Sequence, residues 1–139
     1  MSKLLYMLFY FNKSMKGKLN KYISMVEVLF FFRGRIMQRK VSLSLCMIVR
    51  DEELTLERCL NCAKQFADEI IIVDTGSVDK TKEIAAKFTN KIYDFTWIYD
   101  FAAARNYAFS KATCDYIMWL DADDYMNDED IRNIKLLLA

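Results

Sequence analysis

Histidine is absent from this chain of 139 residues, and glycine occurs only three times, as Gly17, Gly34 and Gly76. A Ser-His-Asp triad, an imidazole proton shuttle and a His-ligated zinc site all need histidine, so the sequence excludes them. The three glycines are too few and too far apart for a Walker phosphate loop or a GxGxxG dinucleotide fingerprint. Any ligand of this chain must therefore be held by other groups.

Cysteine occurs four times, but without the partners that a zinc site would need. Cys59 and Cys62 form a CxxC pair in a helical pattern, and no second pair completes a metal site. Cys46 falls within a predicted buried strand, and Cys114 lies just before another. We expect four reduced thiols in or near the core, as is typical of a cytosolic protein.

Long apolar runs are also missing from the basic segment at residues 1–40. Its runs Leu4–Phe11 and Tyr22–Phe32, the latter interrupted by Glu27, are shorter than the roughly 20 residues that cross a bilayer. A signal peptide fits poorly, because no small-residue cleavage site follows and the next stretch is rich in lysine.

Two interpretations of this N-terminal extension stay open. It carries nine Lys/Arg and one acidic residue, a net charge of +8. In the first interpretation it is a basic, aromatic surface that binds anionic lipid. Alternatively, it is not a native part of the fold, and Met37 is the natural start; its lack of periodicity favours this second interpretation. The predicted location is cytoplasmic, with peripheral membrane contact under the first interpretation.

Residues 41–139 have the composition of one globular domain and a net charge of −7. Nucleic acid is therefore not expected as a partner of this part. Strand and helix patterns alternate along it. The predicted strands are Val41–Val49, Ile70–Val73, Lys91–Phe95 and Tyr116–Leu120. Three helices are predicted at Glu52–Gln65, Lys80–Phe88 and Phe101–Ala112, and a last helix runs through Ile131, Ile134 and Leu138. The first can be capped by Asp51, and the second by Ser77 or Asp79.

This alternation predicts an α/β fold with a mostly parallel sheet of about four strands, covered by helices and joined by right-handed crossovers. Ligands of such sheets bind outside the carboxyl ends of the strands, near the point where the strand order reverses. Asp74 and the acidic cluster from Asp121 to Asp124 follow two predicted strands. Both are therefore expected on that rim.

The acidic cluster follows an apolar run that we expect to be buried on both faces. In an extended backbone, residues i and i+2 point the same way, so Asp121 and Asp123 can converge on one cation. Oxygen ligands favour Mg²⁺ or Mn²⁺. A calcium EF-hand is excluded, because Met126 and Arg132 stand where its glycine and bidentate glutamate are needed. The alternative is a polar turn without a ligand.

Asp74 and Arg105 each allow two interpretations. Asp74 is either a simple strand-end cap or an acceptor for a ligand, such as the imide N–H of uracil or a ribose hydroxyl. Arg105 falls within the apolar stripe of the helix Phe101–Ala112, where an unpaired charge is unfavourable. Its partner is either an internal acid, Asp100 or Asp74, or a phosphate of a bound nucleotide.

Four blocks of this sequence together resemble glycosyltransferase family 2, in that family's order and spacing. They are residues 44–53, 68–81, 97–106 and 119–124, which read SLCMIVRDEE, DEIIIVDTGSVDKT, WIYDFAAARN and WLDADD. The resemblance covers about residues 41–130 and implies the amino-terminal, Rossmann-like half of a GT-A fold. That half binds a nucleotide-diphospho-sugar donor for transfer to an acceptor, here unknown, which would be a glycan, a lipid or a protein.

The resemblance also implies roles for individual residues. Asp74 would contact the base or ribose, and the backbone of residues 48–50, Ile48, Val49 and Arg50, would border the nucleobase. Asp121 and Asp123 match the DxD motif, which reaches the ribose and a divalent metal that bridges the diphosphate. Arg105 matches a basic position near the donor.

The chain also departs from the family pattern. Val78, Tyr99 and Cys114 stand where the family often has Thr, an acid and Gly. Family members continue well past the DxD motif, so the general base and the acceptor site are expected beyond Ala139, and no catalytic base is assigned within this chain. The prediction is a domain truncated at its C-terminus, with weak or no transferase activity alone. A non-catalytic remnant or interaction module is the alternative, and a receiver-like phosphoacceptor domain fits less well because no later strand carries its lysine.

Overall fold

The computed structural model of the protein describes residues 41–139, and the predictions for residues 1–40 lie outside that range. Strands and helices alternate strictly through the described range. The strands are β1 (Leu43–Val49), β2 (Glu69–Asp74), β3 (Ile92–Asp94) and β4 (Tyr116–Trp119). The helices are α1 (Leu56–Ala63), α2 (Thr81–Ala85), α3 (Phe101–Ser110) and α4 (Asp128–Leu138). Within this range, no helix is long and apolar enough to cross a bilayer.

The four strands form one parallel sheet in the order β3-β2-β1-β4, which confirms the predicted fold class. Strands β2 and β3 follow one another on one side of β1, and β4 pairs with the other side of β1. The strand order therefore reverses between β1 and β4, where parallel sheets form ligand clefts. The register pairs Val49 with Asp74 and Asp74 with Asp94, so these strand ends share one rim.

Helices cover both faces of the sheet. Alternate residues of β1, from Leu43 to Val49, enter a core with α1, α2 and α4, while Cys46 enters a second core with Ala108 of α3. This alternation follows from the two-residue period of a strand. The central strands β1 and β2 are buried along nearly their whole length. In the edge strand β4, Ile117 and Met118 are buried in the two cores on opposite faces, as predicted, but Tyr116 at its start is 42% exposed.

The first two helices begin and end differently from the prediction. Helix α1 begins at Leu56 instead of Glu52, and Asp51 does not cap it. Asp51 has φ of 54°, and its carboxylate accepts a hydrogen bond from the backbone N–H of Val78, so it holds a neighbouring loop. Helix α2 is limited to Thr81–Ala85 and has no side-chain hydrogen bond at its N-cap, Lys80.

The last helix contains Ile131, Ile134 and Leu138, as predicted. Asn127 caps α4 by accepting a hydrogen bond from the backbone N–H of Asp130, and three acidic residues occupy its first turn. Negative charge at this position interacts favourably with the helix dipole.

A buried carboxylate ties the strands together at the opposite, amino end of the sheet. The carboxylate of Glu69 accepts hydrogen bonds from Ser44, Lys91 and Thr113. Burial raises the pKa of the Glu69 carboxyl, but these donors outweigh it, and the pKa falls to about 2. Glu69 is therefore ionised at neutral pH and joins β1 and β2 to the segments before β3 and β4.

All four cysteines are free thiols, as predicted. Burial is the main reason that the pKa values of Cys46 and Cys59 rise to about 12. Both side chains are therefore protonated at neutral pH, which makes them inert as nucleophiles.

Candidate functional site

A cleft of about 610 Å³ opens at the carboxyl ends of β1 and β4, where the strand order reverses. Six of the seven site residues predicted from the sequence line it, namely Ile48, Val49, Arg50, Arg105, Asp121 and Asp123. They come from three separate stretches of chain: the end of β1, the first turns of α3 and the loop after β4. The fold therefore brings together two guanidinium groups and two carboxylates.

The acidic loop after β4 is a tight turn. The backbone N–H of Asp124 donates to the carbonyl of Asp121 at 3.0 Å, and the Asp124 carboxylate accepts from the N–H of Asp121 at 3.0 Å. The prediction of an extended backbone at Asp121–Asp123 is therefore wrong. The two hydrogen bonds between Asp121 and Asp124 fold this segment into a turn. Ala122 is buried beneath it, while the exposed Asp121 and Asp123 still line the cleft.

Arg105 forms an ion pair with the first acid of this turn. Its Nη2 lies 3.4 Å from Oδ1 of Asp121, and its guanidinium carbon lies 3.9 Å from the centre of the Trp119 ring. The predicted internal partners, Asp100 and Asp74, do not pair with it, because Asp100 caps α3 through the N–H of Ala103. Asp121 is the partner because β4 ends beside the first turns of α3.

Asp74 sits behind the cleft and is only 2% exposed. Its Oδ1 accepts hydrogen bonds from the backbone N–H groups of Gly76 at 2.8 Å and Ser77 at 2.9 Å. Gly76 has φ of 110°, a conformation that side chains disfavour. The other oxygen, Oδ2, is buried and has no hydrogen-bond partner in the described range. Asp74 therefore acts as the strand-end cap and also retains one unpaired acceptor, a situation that calls for an explanation.

The two loops that carry the β1 and β2 ends are joined by backbone-to-side-chain hydrogen bonds. The backbone N–H groups of residues 51, 52 and 53 donate to Ser77, Thr81 and Asp79 respectively. Glu53 returns a bond by accepting from the N–H of Lys80. These contacts hold the rim next to Asp74. Neither Asp51 nor Ser77 caps a helix as expected, whereas Asp79, the other predicted cap of α2, accepts a hydrogen bond from the backbone N–H of Thr81 at 2.9 Å.

Sequence reasoning missed several residues that line the cleft, chiefly Glu52, Thr75, Trp97 and Phe101. Trp97 and Phe101 pack edge to face, with ring centres 4.7 Å apart. We expected Phe101 in the buried stripe of α3, but it is 64% exposed, because α3 buries only Ala104 and Ala108. The position of Trp97 just after β3 was a usable signal, since the ends of all parallel strands meet at one rim.

The acidic turn offers few ligands to a metal. Across residues 41–139, no group of three or more His, Cys, Asp or Glu side chains could hold an ion. Within the cleft, Asp121 and Asp123 supply two carboxylates from the turn, Glu52 adds a third that accepts a hydrogen bond from Thr55, and Asp124 is engaged by the turn. Two hard oxygen donors fit a divalent ion that keeps waters and takes its other ligands from a bound phosphate, as Mg²⁺ does.

Comparison with known proteins identifies one family by its sequence model, and relatives with glycosyltransferase names agree with it. Residues 44–137 match the family described as Glycosyl transferase family 2. The chain is 52% identical over 81 residues to a TPR repeat-containing protein of Synechococcus elongatus, covering 58% of this chain and 20% of that protein. It is 31% identical over 97 residues to an uncharacterized glycosyltransferase of Rickettsia bellii, covering 70% and 33%. The chain thus spans a fifth to a third of the length of these relatives.

Solved structures share the fold. Glucosyl-3-phosphoglycerate synthase of Mycobacterium tuberculosis superposes with a TM-score of 0.51 at 18% identity, over 61% of this chain and 36% of that one. A crystal structure of the same enzyme with Mn²⁺ and UDP-glucose gives a TM-score of 0.50 at 18% identity, over 60% and 33%. At this level of identity, the likeness concerns the architecture.

Proposed function

The chain belongs to glycosyltransferase family 2, and on that basis we propose that its cleft binds a nucleotide-diphospho-sugar together with Mg²⁺ or Mn²⁺. The sugar would pass to an acceptor whose identity, glycan, lipid or protein, is not assigned. The observation that carries the proposal is the convergence of Asp121, Asp123, Arg50 and Arg105 on one cleft at the strand-order reversal.

The charges of the cleft suit a diphosphate. Asp121 and Asp123 would hold the metal, and Arg105 and Arg50 would face the phosphate oxygens that the metal leaves unpaired. A bound divalent ion would supply Lewis-acid stabilisation of the nucleoside diphosphate leaving group. The two carboxylates would otherwise repel a diphosphate, so the metal is required for both groups to share one cleft.

The apolar residues of the cleft suit a nucleoside. Ile48 and Val49 supply an apolar wall, and Asp74 lies one strand away with its unpaired Oδ2. A ligand N–H or hydroxyl group that donates a hydrogen bond to Oδ2 would satisfy this buried oxygen. Leaving it unpaired costs free energy of folding. Uracil offers such an N–H through its imide and ribose offers hydroxyls. The mycobacterial enzyme of the same fold was crystallised with UDP, so a uridine nucleotide is the first ligand to test.

Calorimetry with UDP tests the proposal directly. We expect binding in the presence of Mn²⁺ and its loss, or a large weakening, when EDTA removes the metal. A folded protein that binds UDP equally with and without Mn²⁺, or binds none of a panel of nucleoside diphosphates, would contradict the proposal.

Transfer activity needs a separate experiment, because the matched relatives are three to five times longer than the aligned segment. Residues 41–139 can be fused to the carboxyl-terminal part of a full-length relative. Sugar transfer by the fusion would support an enzymatic role, whereas donor binding without transfer would favour a non-catalytic module.

A further inference from the structure

Helix α1 holds the acidic turn from behind. Three of its side chains donate hydrogen bonds to main-chain carbonyls of the loop after β4. The contacts join Arg58 Nη2 to Asp123 O at 3.2 Å, Cys59 Sγ to Asp121 O at 3.7 Å and Cys62 Sγ to Met126 O at 3.7 Å. The CxxC spacing, which had no role in the sequence analysis, thus lets one helix face reach two carbonyls.

These contacts are made to the backbone of the turn, so the carboxylates of Asp121 and Asp123 still line the cleft. Asp121, Asp123 and Asp124 carry three negative charges within four residues, and their mutual repulsion tends to open the turn. Arg58 is not among the residues that line the cleft, and its guanidinium carbon lies 5.9 Å from the ring centre of Tyr125. Its charge therefore offsets the repulsion without occupying the carboxylate oxygens.

We propose that Arg58, Cys59 and Cys62 are positioning residues for the metal-binding acids, with Arg58 contributing most. Arg58 is the most informative of the three because its hydrogen bond is charge-assisted, whereas thiols are weak donors. The inference rests on the proposed function for its link to metal. Its structural part, that α1 orders the turn, can be measured independently.

The first experiment compares Arg58→Met, Arg58→Lys and Arg132→Met in the full chain. Arg132 is an exposed arginine on α4, so its replacement makes the same change in net charge away from the turn. We expect Arg58→Met to weaken Mn²⁺-dependent UDP binding by roughly tenfold, the lower end of what outer-shell partners of metal ligands contribute. The midpoint of thermal unfolding should stay unchanged because Arg58 is exposed. Arg58→Lys should recover part of the affinity, and Arg132→Met should bind like the parent protein.

The cysteines allow a conservative rescue. Cys62 is only partly buried, so its replacement should cost little stability. Cys62→Ala removes the donor to Met126, and Cys62→Ser keeps a hydroxyl donor of similar size. We expect the alanine variant to bind Mn²⁺–UDP a few-fold more weakly and the serine variant to match the parent protein. Equal affinity in all three proteins would remove Cys62 from the positioning set.

Hydrogen exchange measures the turn itself. The amides of Asp121 and Asp124 are both bonded within the turn, so Arg58→Met should speed exchange of the segment 119–127 while that of β1 and β2 stays slow. If this exchange is unchanged, or if Arg132→Met weakens binding as much as Arg58→Met, the inference is overturned. If the parent protein shows no metal-dependent binding, the proposed function fails, and the exchange result alone decides whether α1 orders the turn.

Discussion

Arg105 and Asp121 both line the cleft and form an ion pair, with Nη2 of the arginine 3.4 Å from Oδ1 of the aspartate. The guanidinium carbon of this arginine also lies 3.9 Å from the centre of the Trp119 ring. A protein cation thus pairs with one of the two carboxylates proposed to hold the metal. Arg105 and a divalent ion would compete for this oxygen, and a bound diphosphate would give the guanidinium a new partner.

Replacing Arg105 should therefore change two affinities in opposite directions. Arg105→Met frees Asp121, so Mn²⁺ alone should bind up to about fivefold more tightly, since a half-exposed ion pair contributes up to about 1 kcal/mol. UDP in the presence of Mn²⁺ should bind roughly tenfold more weakly, because a charge-assisted bond to phosphate is lost. Calorimetric titration of metal alone and of nucleotide with metal measures both, and weaker binding of Mn²⁺ alone would contradict the competition.

Asp74→Asn tests the contact proposed for the nucleoside. The amide keeps an oxygen for the N–H groups of Gly76 and Ser77, but it cannot present a second acceptor at Oδ2. We expect UDP to bind about tenfold more weakly, both with Mn²⁺ and with EDTA, because this contact does not involve the metal.

CDP, whose base has no imide N–H, is the matched ligand for Asp74→Asn. Contact with the base predicts that the variant loses its preference for UDP over CDP, while contact with ribose predicts equal losses for the two. Unchanged affinity for both would remove Asp74 from the site.

Glu69 should make the fold sensitive to acid. Its pKa is lowered from 4.5 to about 2 in the folded protein, so its stabilising effect is complete above pH 4.5 and is lost as the pH falls towards 2. The loss should be on the order of 2 kcal/mol, allowing for solvent around its half-exposed partner Lys91. Urea unfolding between pH 6 and pH 2 measures it. Glu69→Gln should flatten the curve in this window, and parallel curves for the two proteins would contradict the assignment.

Thr81 tests the contacts between the rim loops. Its buried hydroxyl accepts a hydrogen bond from the backbone N–H of Glu52 at 2.7 Å. Thr81→Val keeps the shape but leaves this N–H unpaired, which should lower the free energy of unfolding by about 1–3 kcal/mol. Thr81→Ser keeps the hydroxyl and should lose less. Denaturant unfolding distinguishes the two, and equal losses would mean that packing of the methyl group matters more.

The parallel sheet was predictable because its signal is local. The aliphatic runs of β1 and β2, separated by helical patterns, determine a covered parallel sheet whichever partners each strand finds. The rim position of Asp74, Asp121 and Asp123 followed from the same rule, since strand ends meet at one edge.

The remaining details depend on contacts between segments distant in sequence. The late start of α1 reflects the hydrogen bonds that residues 51–53 make with residues 77–81. The partner of Arg105 depends on β4 lying beside β1, and the shape of the acidic turn depends on Asp124 bonding back to Asp121. Periodicity and capping preferences carry no information on such pairings.

In the proposed site, Asp123 binds a metal that in turn binds a diphosphate. Asp123→Asn removes one exposed carboxylate charge, and Asp128→Asn, in the first turn of α4, removes another outside the cleft. UDP is titrated into each protein in Mn²⁺ and in EDTA, and the ratio of the two affinities is compared. In Asp123→Asn this ratio should fall by at least about tenfold, the scale of a lost metal contact. In Asp128→Asn it should equal that of the parent protein. A full Mn²⁺-dependent gain in affinity in Asp123→Asn would show that Asp123 does not bind the metal.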